Sequence, residues 1–106
     1  MEFLVRTIRY KKRMGADEMV YDIVLSVGRD GILHVNFVKV RSFEDDDEIA
    51  DPFIANAVNY VLQPNLGYAI NEPLMDRLKE DVSIALENLF NSDNQFKGYE
   101  VIHSAY

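Results

Sequence analysis

The chain has 106 residues, 48% apolar and 27% charged, with no cysteine and a formal net charge of −7. That size and mix suit one globular domain over residues 1–106 and exclude a disordered chain. No apolar run approaches the ~20 residues that span a bilayer, and without cysteine there are no disulfides or thiolate metal sites.

The charge is unevenly placed. Residues 1–14 hold five cationic side chains against one carboxylate, a net +4. Residues 15–41 come to −1, and residues 42–106 set three cationic side chains against thirteen carboxylates, a net −10. An acidic field repels phosphate backbones and attracts basic partners. The opening Met1-Glu2-Phe3-Leu4-Val5-Arg6 lacks the charged-then-apolar order of a secretory signal, so a cytoplasmic location is expected.

Phe3 to Tyr10 mixes β-branched and aromatic residues with arginines and predicts a strand with one wet face, at a sheet edge. Lys11-Lys12-Arg13 reads as a solvated connection, and Met14 to Glu18 as the turn. From Met19 to Val27 strict alternation puts Met19, Tyr21, Ile23, Leu25 and Val27 on one apolar face. A three-residue loop, Arg29-Asp30-Gly31, then sets Val27 by Leu33, Leu25 by Val35 and Ile23 by Phe37. Gly31 takes the left-handed position of the turn. A one-residue slip would flip every side chain, so matching of the faces selects this register. The opposite face shows Ser26 by His34, Val24 by Asn36 and Asp22 by Val38.

The acidic run Glu44-Asp45-Asp46-Asp47-Glu48 reads as a solvated loop leading to a helix capped by Asp51, with Pro52 in its first turn. Phe53, Ile54, Ala57, Val58, Val61 and Leu62 form its predicted apolar stripe, with Asn56, Asn59 and Gln63 opposite. Pro64 ends it. A second helix is predicted from Glu72 to Phe90, capped by Asn71, burying Leu74, Met75, Leu78, Val82, Ala85, Leu86 and Leu89. Tyr99 to His103 reads as a last strand. It pairs with the sheet edge opposite its predecessor or extends a partner's sheet. The order β-β-β-α-α-β predicts an α+β two-layer sandwich: an antiparallel sheet with two helices on one face.

Catalytic chemistry is thinly represented. No serine sits in a Gly-x-Ser-x-Gly elbow, and His34 beside Ser26, with Asp22 on the same face, is the one pairing that could support nucleophilic catalysis. Two distant histidines make no zinc signature, and Glu44 to Glu48 lacks the glycine and spacing of a calcium loop. Gly28-x-x-Gly31 is a hairpin turn rather than a phosphate loop, since no helix follows it. Arg6, Arg9, Lys11, Lys12 and Arg13, with Phe3 and Tyr10 interleaved, could contact nucleic acid, but the rest of the chain opposes it. The expectation is a protein that is not an enzyme, with no cofactor, no metal, no direct nucleic-acid binding and no membrane partner.

The acidic ridge of the second helix carries the functional expectation. Glu72, Asp76, Glu80 and Glu87 line the side away from the core, with successive acids four apart ~6 Å apart along the axis. Such a row approaches the phosphate spacing of a nucleic-acid strand and can occupy a basic groove. The expected function is therefore a non-catalytic binding module that inhibits a nucleic-acid-handling protein. It would use these four residues together with Asp45, Asp46 and Asp47 of the acidic run. Its partner would be a protein with a basic surface, such as a nuclease. In element order and charge the chain resembles the small acidic phage antagonists of host defence, anti-CRISPR proteins among them. A toxin-immunity protein would use the same physics, and an assembly subunit that forms a homodimer through its sheet is the reading from a different class.

Overall fold

A computed structural model describes residues 4–41 and 51–103. Its elements are β1 (Leu4–Met14), β2 (Asp17–Val27), β3 (Leu33–Arg41), α1 (Pro52–Leu62), α2 (Glu72–Ser92) and β4 (Tyr99–Ile102). Short 3-10 turns follow the helices at Gln63–Asn65 and Asn94–Phe96. The strands form one antiparallel sheet in the order β3-β2-β1-β4, and the fold is the expected α+β sandwich.

The β2–β3 register follows from the turn. Val27 pairs with Leu33, Leu25 with Val35, Ile23 with Phe37 and Ser26 with His34, as the matched faces require. The Gly31 N–H donates to the Gly28 carbonyl at 3.1 Å, and Gly31 sits at φ +73°, a conformation nearly closed to other residues. Between Tyr21 and Val20 a β-bulge shifts the register by one residue, so Tyr21 pairs with Lys39 and Val20 with Arg41.

The first strand departs from expectation in two ways. It runs on to Met14, because Gly15 at φ +63° turns the chain in two residues and lets Met14 pair with Asp17. Lys11-Lys12-Arg13 is thus strand rather than connection. β1 is also interior, not an edge: β4 adds antiparallel along Arg9–Lys12, on the side opposite β3. The chain tolerates charge there because neighbouring strands supply counter-ions. Arg9 is clasped by Asp22 at 2.7 and 3.0 Å, and Arg13 and Lys11 both reach Glu18.

Both helices cover the same sheet face. Ile8, Tyr10, Ile23, Leu25, Val27, Leu33 and Val101 from the strands join Ile54, Val58 and Leu62 of α1 and Met75, Leu78, Val82, Leu86 and Phe90 of α2 in one core. Asp51 caps α1 by accepting from the Phe53 N–H at 2.8 Å, and Asn71 caps α2 by accepting from the Leu74 N–H at 2.9 Å. Phe53 leaves the predicted stripe. It is 54% exposed and meets Phe96 edge-on, while Ile54, one residue on, is buried. Phe96, in the second 3-10 turn, is buried against Phe90 and Tyr99 and closes the far end of the core.

Candidate functional site

Helical geometry decides where the four α2 carboxylates point. At 100° per residue Glu72, Asp76, Glu80 and Glu87 fall within an arc of about 80°, over an axial span of about 22 Å. The buried residues Met75, Leu78, Val82 and Leu86 occupy an arc centred about 120° away, which faces the sheet. The acids therefore share one flank, above β1 and the end of β4. Asp76, Glu80 and Glu87, with Lys79, Ser83, Ile84 and His103, line a shallow concavity of about 330 Å³.

The flank is partly compensated from the sheet. Arg6 points from β1 toward the helix layer, where its Nε meets Asp76 Oδ1 at 2.5 Å and its Nη2 meets Glu72 Oε1 at 3.2 Å. Its third nitrogen donates to the Val5 carbonyl at 2.9 Å. The hydrogen bond that Arg6 Nε donates to Asp76, with the guanidinium charge behind it, holds the Asp76 carboxyl below its ordinary range. The two carboxylates in turn raise the Arg6 guanidinium. At the other end His103, leaving β4, contacts Glu87 through Nε2. Glu80 makes no ion pair among the described residues and is fully available to a partner.

The four ridge residues thus come together as predicted, but three of them already have intramolecular partners. Those partners lie on β1 and just past the end of β4, on other elements of the fold, and helical periodicity alone cannot find them. Asp45, Asp46 and Asp47, the rest of the predicted surface, lie outside the described residues. Charge elsewhere is polarised. Residues 4–41 carry eight Lys or Arg against four carboxylates, and residues 51–103 carry three against eight, so the sheet is basic and the helical half acidic.

Ser26 stands opposite His34 in the ladder, but His34 Nε2 turns to Asp30 Oδ2 at 3.2 Å. Asp22 is occupied by Arg9. A larger hollow, about 460 Å³, lies at the other end of the inner sheet face, lined by Tyr10, Tyr21, Phe37 and Tyr99 with Lys12 and Lys39. Lys12 sits over the Tyr99 ring at 5.4 Å, and burial pushes the Tyr10 phenol far up, so it stays protonated. That chemistry is packing: Tyr10 stacks on Tyr21 with centroids 5.1 Å apart. No helix among the described residues is long and apolar enough to cross a membrane.

No protein-family model matches this chain, and no curated protein and no solved structure matches it.

Proposed function

We propose that this protein is a non-catalytic binding module that sets the acidic flank of α2 against a basic protein surface. In its sharpest form it inhibits a nucleic-acid-handling protein by occupying the groove meant for the phosphate backbone. The observation that carries the reading is the gathering of Asp76, Glu80 and Glu87 around one concavity on a flank that also holds Glu72.

The Arg6 fork both helps and limits this role. It fixes two carboxylates in place, so a partner does not have to order them. It also cancels one of their two charges, which moves the centre of the negative field toward Glu80 and Glu87. The reading includes a cytoplasmic site of action and extends to a toxin-immunity role, which differs only in the identity of the basic partner.

Competition tests it. The protein is titrated against a basic DNA-binding protein holding labelled duplex, first at low and then at roughly 0.5 M salt, where the Debye length shrinks to a few ångströms. Displacement at low salt that fades at high salt supports the reading. The Glu80→Lys/Glu87→Lys variant leaves the Arg6 pairs intact and should displace at least tenfold less well, a loss of about 1.4 kcal/mol. Equal displacement by the variant refutes the reading.

A further inference from the structure

Twenty consecutive residues, Pro52 to Asn71, carry no charge, although the chain average of 27% would place about five there. This run makes α1 and the turn behind it. One side of α1 is spent on the core through Ile54, Val58 and Leu62. The other side is not polar in the usual way. Phe53, Asn56, Tyr60 and Gln63 recur at spacings of three, four and three, so they form one stripe along the helix. All four are exposed, Phe53 at 54% and Tyr60 at 80%. Past the helix end Leu66 at 44% and Tyr68 at 70% continue the exposure of large side chains. A solvated face is normally charged. Loss of charge together with gain of Tyr and Phe is the composition of an interface core.

We propose that this face of α1 is a self-association surface, on which a second copy of the chain packs its own α1 antiparallel across a two-fold axis. Three features favour a second copy as the occupant. First, a chain of net charge −7 repels its copies, and the uncharged run is the region where two copies meet without setting like charges against each other. Second, the Asn56 amide and the Tyr60 hydroxyl each both donate and accept, so the pair that a two-fold axis brings together is complementary to itself. Third, the heptad spacing gives a closed register centred on Val58: Phe53 lies opposite the partner's Gln63, and Asn56 opposite the partner's Tyr60. Antiparallel helices also oppose their dipoles favourably.

Size sets the strength. An eleven-residue helix is about 16 Å long, less than a standard interface needs by itself, and the twenty-residue run, with Ile54, Val58, Leu62 and Ile70 buried in the core, falls short of the ~20–30 residues per side. The expected dimer is reversible, with a dissociation constant on the order of micromolar to tens of micromolar. The inference is independent of the acidic flank, which points from a different helix.

Sedimentation equilibrium of the full chain, from about 1 μM to about 1 mM, tests it. The expected result is a mass rising from 12.2 kDa toward twice that value, and rising further with added salt, because screening relieves the repulsion between copies. Tyr60→Glu should weaken the association at least tenfold, and Asn56→Asp should weaken it in the same direction. Tyr60→Phe, which keeps the ring, should hold it within about threefold. Circular dichroism shows whether each variant folds; Tyr60 and Asn56 are exposed, so folding should be kept. A mass that stays at 12.2 kDa across the range overturns the proposal, as it would if a different protein covers this face. A dimer undiminished in both charged variants also overturns it.

Discussion

Leu25 and Val24 are neighbours on β2 that face opposite ways, so truncating each in turn reads the assignment of the sheet's two faces directly. Leu25 is 0% exposed, opposite Arg6 on β1 and Val35 on β3, inside the shared core. Leu25→Ala removes three carbons, worth about 0.8 kcal/mol each in transfer, or about 2.4 kcal/mol. The unfilled cavity adds to this, so a loss of roughly 3–4 kcal/mol is expected. Against a total stability of about 5–15 kcal/mol for a domain this size, that is a large fraction. Val24 is half-buried on the open face, opposite Thr7 and Asn36. Val24→Ala gives up some strand preference and partial contact, about 1 kcal/mol. In urea, with a slope of ~1–3 kcal/mol per molar, the Leu25→Ala midpoint should fall by about 1–4 M and the Val24→Ala midpoint by about a third of that. Equal losses, or a larger loss at Val24, would mean that the helices cover the other face and that the register is wrong.

Other consequences are open to test. Gly31→Ala meets open space but forces a side chain to φ +73°, so it should cost roughly 1–2 kcal/mol in thermal unfolding with the register kept. Asp76 is held below its ordinary range by Arg6, so its contribution to stability is present above the unfolded carboxyl value and is lost as pH falls through the folded one. Arg6→Gln should therefore flatten the acid limb of a stability–pH curve, measured between about pH 2 and 6, where the unfolded carboxylates titrate. The buried Tyr10 phenol is raised, so stability holds below about pH 10, the unfolded tyrosine value, and falls above it; Tyr10→Phe should abolish that alkaline loss.

The hairpin was readable because Gly28 and Gly31 leave few loop lengths and only one of them aligns two apolar faces. The α2 ridge was readable because helical periodicity alone brings residues 72, 76, 80 and 87 to one side. What lay beyond the sequence was pairing between distant parts. Arg6 is 70 residues from Asp76, and its choice of partner depends on β1 running beneath α2. Lys11 to Arg13 read as loop because strands seldom carry three cations in a row. Glu18 and Glu100 supply counter-charges only once β2 and β4 flank β1. Phe53 was misplaced because it adjoins Ile54 in an apolar run, and hydropathy does not tell which of two neighbours a narrow stripe will bury. Phe96 had no periodicity around it, only polar neighbours in a 3-10 turn.

The proposed binding surface is tested most directly by mapping backbone amide shifts of the labelled protein as the basic partner is added. Shifts should concentrate on α2 around Asp76, Glu80, Ile84 and Glu87 and at His103, and disappear as salt is raised. Shifts confined to the open sheet face around Val24 and Val38, or insensitive to salt, would contradict it.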